Sequence, residues 1–490
     1  MMENWQKSLS NFSFYNLFFY STVFFLSGVL LFDVFKSYEI NVLTFLGILL
    51  ISGLFISLIK KYTFLYLILF LGLGFYYYAF YDFLNFKPSN LTFGNEIEVM
   101  GTVLNRELSQ DSEKIILELD SPYFSKIEIK EQKYPIYDYG DKLLFRGKIY
   151  QNSGKYGKYL EKENILGTSN FPNLRIIKKN ETTSLKSILF KIKSYFENSI
   201  DKNTNASVSA LVKGLVLGET SSFSKDLKND MKSTGTTHIV ALSGYNVSMI
   251  ELFVILLLSK FLKRKWVLWI SFPLIFCFIL MAGAPASLVR AGIMSSIIVL
   301  AEKTKRTYNP RNALLGVAFL MVLINPRILS WDLGFQLSFL AIFGLFYIRP
   351  ILEKLLNFKN KGFLNWKDNL LSAVAAEIAV LGLLIYQFNV FSFISILVNI
   401  LILPFIPIIT FMGFLISFLN LFSGFLAFSV GLVANFFSNY VISVITFFAK
   451  IASPISITYF PFLLMALYYF LIIDFVYKRN KKPNNELQNQ

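Results

Sequence analysis

The chain has 490 residues, is 54% apolar and contains 53 Phe, a composition that excludes a disordered chain and points to helices living in lipid. Its net charge is +16, from 47 Lys and Arg against 31 Asp and Glu; in a membrane protein cytoplasmic loops account first for such an excess, so it is not by itself a nucleic-acid footprint. One cysteine, Cys277, excludes an intrachain disulfide, and one histidine, His238, excludes a cluster of His and Asp ligands for catalytic metal.

Three apolar runs open the sequence, at 12–35, 40–59 and 62–82. The first is too long for a signal-peptide core and lacks a small-residue cleavage site, so it reads as a retained span. Residues 1–85 are therefore expected to form a three-helix membrane segment.

Residues 86–185 are polar and read as β. Ile97, Val99 and Val103 alternate with polar or small residues, as do Ile115, Leu117 and Leu119, then Ile127 and Ile129, then Leu143, Phe145 and Ile149. Gly101 and Gly147 interrupt strands, as at the bends of small barrels. About five short strands predict an OB-like β-barrel; a small open sheet with no binding role is the alternative. Within this segment Arg146, Lys148, Tyr150, Lys155, Tyr156, Lys158 and Tyr159 interleave cations with rings. Single-stranded nucleic acid needs that mixture, ammonium groups for phosphates and rings for bases. A solvated loop fits the composition too. From 86 to 186 there are 16 basic and 14 acidic residues, so any basic surface must be local.

Residues 186–238 are amphipathic. Leu185, Ile188, Leu189, Ile192 and Phe196 recur at helical spacing, which suits a helix lying on a membrane surface. A second helix of small and apolar residues, Ala206 to Leu217, ends at Gly218-Glu219. Residues 239–477 then hold apolar runs near 239–259, 266–283, 286–301, 312–325, 331–349, 370–388, 394–419, 421–448 and 458–477. With the first three, these predict a mainly α polytopic protein of about 12 apolar helices. The 312–325 run is short and is expected to be tilted, broken or re-entrant. No internal repeat is evident. Residues 478–490 form a polar tail. Placing the N-terminus inside puts Lys60-Lys61, Lys263-Arg264-Lys265, Lys303 with Lys305-Arg306, Lys354 to Lys367 and the tail on the cytoplasmic side. The β domain then lies outside.

Residues 235–250 carry Thr236, Thr237, His238, Ser243, Gly244, Asn246 and Ser248 into an apolar run, where polar groups are costly unless they face protein or water. They are expected to line or brace a polar path; a helix cap followed by packing residues is the plainer alternative. Arg290 sits within an apolar run and needs a partner or water, with Glu251 and Glu377 as candidates. Asp332 and Gln336, four apart, are expected to share one helix face. Pro404 and Pro407 are expected to break a helix.

Four blocks in order, with a helix end before them, resemble the ComEC-type DNA internalisation channels of natural competence. Gly214-Leu-Val-Leu-Gly-Glu219 is similar to the family's small-residue helix end with its acidic residue. Gly235-Thr-Thr-His-Ile-Val-Ala-Leu-Ser-Gly244 resembles its most distinctive block. Pro285-Ala-Ser-Leu-Val-Arg290-Ala-Gly-Ile-Met294 resembles another. Asn325-Pro326 with Asp332-Leu-Gly-Phe-Gln336 resembles the next, and Asn399-Ile-Leu-Ile-Leu-Pro404 the last. The β segment, ending in Tyr156-Gly-Lys-Tyr-Leu160, is similar to the family's extracytoplasmic domain. The resemblance implies a channel that passes single-stranded DNA inward across the cell membrane, with Glu219, His238, Ser243, Gly244, Asn246, Arg290, Asp332, Gln336, Asn399 and Pro404 as its block residues. Two departures stand out. Tyr245-Asn246 replaces a second histidine that many members carry, and the chain ends in a short tail where many members continue into a metallo-β-lactamase-like nuclease. The form expected is thus one without that nuclease, acting alone or in a split system.

No P-loop is present, so the implied partners are single-stranded DNA, the lipid bilayer, and a separate receptor, nuclease and cytoplasmic motor. No cofactor, metal or catalytic residue is expected. A secondary transporter of a small solute, coupled through Glu251, Arg290 and Glu377, is the alternative function. A hydrolase using Ser243 and His238 is less consistent, because five residues of helix set them about 140° apart.

Overall fold

The computed structural model describes residues 14–37, 62–85, 91–108, 112–132, 135, 137–179, 185–240, 242, 244–304, 310–356, 366–392, 394–452, 455–456 and 460–481. In chain order its first elements are helices α1 (Phe14–Ser37) and α2 (Tyr62–Asn85). Strands β1 (Glu96–Leu108), β2 (Glu113–Leu119), β3 (Lys126–Glu131), β4 (Lys142–Lys148) and β5 (Tyr150–Gln151) follow. Helix α3 (Gly154–Lys162) precedes β6 (Ile165–Asn170) and β7 (Asn173–Lys178). Helices α4 (Leu185–Asn203), α5 (Ala206–Leu217), α6 (Lys225–Ser233), α7 (Gly244–Leu258), α8 (Arg264–Met281), α9 (Ala286–Thr304) and α10 (Pro310–Ile324) come next. After the short α11 (Ile328–Trp331) come α12 (Leu333–Phe343), α13 (Arg349–Leu356), α14 (Trp366–Phe388), α15 (Ile394–Ile402), α16 (Ile406–Leu419), α17 (Gly424–Ile451) and α18 (Phe462–Lys481). The chain divides into two compact units, one of residues 1–107, 112–182 and 289–333, the other of 108–111, 183–288 and 334–490.

In the first unit β1–β7 form one curled sheet in the order β5-β6-β3-β2-β1-β4-β7. All pairings given are antiparallel except β3 with β6, which is parallel. The period-2 pattern sets its core: all eleven alternating residues singled out from Ile97 to Ile149 are buried together. Seven strands stand where about five were expected; the edge strands are the two-residue Tyr150–Gln151 and Asn173–Lys178, whose Leu174 and Ile176 pack against the core. The ladder ends at β5 and β7 and does not close as a hydrogen-bonded barrel. The stretch weighed as a loop contains the nine-residue helix α3.

Helices α1 and α2 lie parallel. Ser21 meets Tyr66, Phe32 packs on Tyr78, and Lys36 bonds Asp82 at 2.5 Å. Two glycines bring the backbones together: a Cβ on Gly28 would stand 2.0 Å from the Leu71 carbonyl oxygen, and one on Gly74 would stand 2.0 Å from that of Phe25. Small residues permit this in lipid, where close packing replaces the hydrophobic drive. Helix α10 runs alongside in the same sense. The Arg311 guanidinium lies 3.4 Å from the Phe19 ring centroid, Phe319 packs on Phe25, and Tyr77 donates to the Leu323 carbonyl. The expected 40–59 span lies outside the described residues.

The second unit is helical. Among the described residues of the whole chain, five helices are long and apolar enough to cross a membrane, and a sixth span arises if α15 and α16 count as one. That pair is bent by 49°. The break expected from Pro404 and Pro407 is therefore present; Pro404 lies in the intervening turn and Pro407 opens α16. The expectation of about 12 long spans is not met in the described residues. Further apolar helices, among them 206–217 and 310–324, fall short of that length over the described residues.

Gly74→Val should drive a branched side chain into the Phe25 carbonyl, an overpacking of at least about 1–3 kcal/mol. The detergent-solubilised protein should then melt several degrees lower or fail to accumulate. Gly316→Ala, whose Cβ would meet only Phe18 at 3.8 Å, should leave the melting temperature unchanged or slightly raised.

Candidate functional site

Within the second unit, three of the singled-out segments lock together at the end of α5. This buried helix ends at Gly218, whose φ of 73° is the left-handed conformation that closes a helix. Its last carbonyls need donors. The Gly218 amide serves the Gly214 carbonyl at 3.0 Å, and the Glu219 amide reaches that of Lys213 at 3.4 Å. The Leu215 carbonyl receives the side-chain amide of Asn246, buried in the first turn of α7. An amide donor is what this carbonyl requires.

The turn before α7 completes the lock. Leu242 packs on Gly218, Val240 and Phe223 pack on Gly214, and Ser287 donates its hydroxyl to the Leu242 carbonyl. Thr234 and Thr236 are fully buried with their hydroxyls 2.9 Å apart. Gly235, at φ 69°, lies between them; a Cβ there would stand 2.7 Å from the Ser395 Cβ on α15. Only glycine combines that φ with that approach. Ser395 in turn donates to Glu377 on α14 at 3.3 Å.

His238 sits in a single 3₁₀ turn, Thr237–Ile239, and not on the long helix expected from 239–259. Its ring is exposed, with Nδ1 3.0 Å from the Gly235 carbonyl oxygen. Gly244 opens α7, and Ser243 lies outside the described residues. Glu219 accepts from Lys193 at 3.2 Å and from the Ser221 amide and hydroxyl. Burial opposes its charge, but Lys193 and Ser221 more than offset this and hold its pKa below the ordinary value. Asn399 is buried on α15. Gln336 is half-buried on α12. Arg290 is buried on α9, and the boundary between the units falls at Leu288–Val289, just before it.

The residues weighed for nucleic acid divide into two groups. Arg146, Lys148 and Tyr150 are exposed on β4 and β5, with Arg146 3.2 Å from Glu96. Tyr156, Lys158 and Tyr159 lie on α3 and have partners within the first unit. The Tyr156 hydroxyl lies 2.7 Å from the Lys114 ammonium and 2.8 Å from a Glu128 oxygen. Lys158 stands 4.2 Å over the Trp331 ring, and Tyr159 carries the Lys162 ammonium at 4.4 Å. The side chain of Lys155 lies outside the described residues. Asp332 does not share a helix face with Gln336. It lies in extended backbone just before α12, and its carboxylate holds Lys162 at 2.6 Å.

A profile of the Competence protein family matches residues 215–482, more than half of the chain. The chain belongs to the Competence protein family. The matched region takes in the α7 turn, Ser287, the bent α15–α16 pair and Glu377, while Gly214 lies one residue before it. The chain is 24% identical over 254 residues to "ComE operon protein 3" of Bacillus subtilis (strain 168), covering 51% of this chain and 31% of that protein. It is 38% identical over 69 residues to "Uncharacterized protein YcaI" of Escherichia coli (strain K12), covering 14% of this chain and 9% of that protein. It thus spans less than a third of the length of either curated relative. No solved structure matches.

Sequence reasoning missed Ser395, Lys162 and Arg327. Ser395 lies four residues before the singled-out Asn399, one helical turn away, and Arg327 directly follows Asn325-Pro326. Lys162 carries no local signal.

Asn246→Leu should leave the Leu215 carbonyl without its donor. That change should cost about 1–3 kcal/mol in a denaturant titration of the purified protein, whereas Ser248→Ala, on the exposed side of α7, should stay within about 0.5 kcal/mol.

Proposed function

We propose that the chain forms the membrane part of a DNA-uptake system and passes single-stranded DNA inward during natural transformation. The observation that carries this reading is the family match over residues 215–482, in which the polar turn at 234–246 is locked against three other helices. Lipid gives no reason to keep so many hydrogen-bonding groups in an apolar region; a hydrated path beside them does. A polyanion needs such a path to be wide and only weakly cationic, because tight phosphate binding stalls movement. The N- and C-termini lie in the cytoplasm and the β sheet outside, where the exposed Arg146, Lys148 and Tyr150 meet incoming DNA. A separate receptor, nuclease and motor supply capture, strand removal and pulling. The chain itself carries out no bond-breaking chemistry.

One observation favours a second reading, a secondary transporter of a small solute. A helix pair broken at Pro404 next to a half-buried Glu377 is the kind of arrangement that holds coupling ions. Uptake in a deletion strain separates the two. Labelled duplex DNA should still collect at the cell surface, while DNase-resistant label in the cytoplasm falls to background and returns on complementation. Normal internalisation without the protein would exclude the channel reading and leave the transporter.

A further inference from the structure

The densest polar cluster outside the α5–α7 lock lies in the first unit, at the end of the α1, α2 and α10 bundle. There the chain leaves α10 through Asn325-Pro326 and passes Arg327, α11 and Asp332. Helix α3 of the β sheet meets this turn. Lys162, in the last turn of α3, is nearly buried and holds Asp332 at 2.6 Å. Burial opposes its charge, but Asp332, aided by Tyr159 and Glu163, outweighs that and keeps its pKa above the ordinary value. Arg327, only 5% exposed, reaches three partners: the Asp82 carboxylate of α2 at 2.6 Å, the Glu161 carbonyl at 2.6 Å and the Asn164 side-chain oxygen at 3.1 Å. The Asn325 amide donates to the Lys162 carbonyl at 3.0 Å. Trp331 closes the cluster, its indole N–H on Asp33 of α1 at 3.1 Å and its ring under Lys158.

The pattern is that of a helix end gripped from outside. The last carbonyls of α3 carry the negative end of its dipole; the Glu163 and Asn164 amides meet those of Leu160 and Glu161 at 3.0 Å, which leaves the second acceptor position of Glu161 and the Lys162 carbonyl open to donors from outside the helix. Asn325 and Arg327 supply the donors and the positive charge. Asn164, at φ 59°, turns the chain out of α3 and offers its side-chain oxygen to the same guanidinium. The four cations Lys36, Lys158, Lys162 and Arg327 are matched by the four carboxylates Asp33, Asp82, Glu163 and Asp332, so the cluster lacks the cationic excess that a phosphate path requires.

We propose that Lys162 and Arg327 are positioning residues that seat the β sheet on the α1–α2–α10 bundle, and that DNA passage needs this seat although neither side chain touches DNA. The seat stands on the geometry alone; its link to passage rests on the channel reading above. The segment Asn325 to Asp332 then has a defined task. It joins the sheet to the bundle, with Asp332 facing the sheet and Arg327 bridging both. On this account Lys158, Tyr159 and Tyr156 belong to the sheet's footing and not to a DNA surface.

Two readouts test the proposal on the full-length protein. Hydrogen exchange of the detergent-solubilised chain follows the seat, and internalised against surface-bound DNA follows passage in cells. Lys162→Ala and Asp332→Ala should each raise exchange over residues 154–164 and 325–332 while β2 and β3 keep their protection. Internalised DNA should fall about tenfold or more, as expected when a buried charge loses its partner, with surface-bound DNA and protein level unchanged. The reversal Lys162→Asp with Asp332→Lys should restore both. If the alanine variants fail to accumulate, Lys162→Arg and the reversal carry the same comparison. Unchanged exchange in the alanine variants would overturn the seat. Raised exchange with normal internalisation would overturn its role in passage. A reversal that restores exchange but not internalisation would mean that Lys162 acts as a cation toward DNA, which also overturns the proposal. Normal internalisation in the deletion strain would refute the channel reading separately, and the exchange result would still decide the seat.

Discussion

Every hydrogen-bonding group carried into hydrocarbon must be answered by protein or water, and the second unit is organised around that requirement. Helix α5 ends in an apolar setting, so its final carbonyls cannot rely on solvent. They are met by the Gly218 and Glu219 amides and by Asn246, which fixes the first turn of α7 against α5. Ser287 and Ser395 extend the same logic to α9 and α15. The polar residues at 234–246 are thus first of all the means by which several short helices hold one arrangement. On the proposed reading a path for a polyanion runs beside such groups, because a helix face already supplied with hydroxyls and amides can also bear water.

Close backbone approach is the second device. Gly28 and Gly74 let α1 and α2 touch along their backbones, and Gly235 lets the polar turn reach Ser395. In each case a single methyl group would separate the elements. Charge is used differently. Among the ion pairs of the first unit, Lys36–Asp82, Arg327–Asp82 and Lys162–Asp332 gather where the three parallel helices end and the β sheet begins. There balanced pairs fix orientation, and removing one partner strands the other.

The sequence was informative where one physical signal dominated. Period-2 alternation located the β core apart from Leu91 and Tyr137, and the α5 helix end was read from Gly218-Glu219. The helix break was read from Pro404 and Pro407. Legibility failed where tertiary contacts decide. The interleave of Lys and Tyr at 155–159 reads as nucleic-acid contact or as a solvated loop, and only Trp331, Lys114 and Glu128 show what Lys158 and Tyr156 meet. Spacing put Asp332 and Gln336 on one face, but Lys162 draws Asp332 into extended backbone before the helix starts. Long apolar runs suggested long spans, yet 239–259 opens with a 3₁₀ turn, in which the Ile239 amide meets the Thr236 carbonyl and the His238 ring meets that of Gly235 before α7 begins. Of the two edge strands, Tyr150–Gln151 is too short to show a period at all.

The central claim is that the chain itself meets DNA in transit, beside the polar turn. Its most direct test places a photo-cross-linking residue at the exposed His238 and irradiates cells during uptake of labelled DNA. The account predicts a covalent adduct of the protein with single-stranded, DNase-protected DNA, formed only while uptake proceeds and absent when the reactive residue is moved to the lipid-exposed Phe436. Uptake at the normal rate with no adduct at 238, while an adduct forms on another membrane protein, would contradict it.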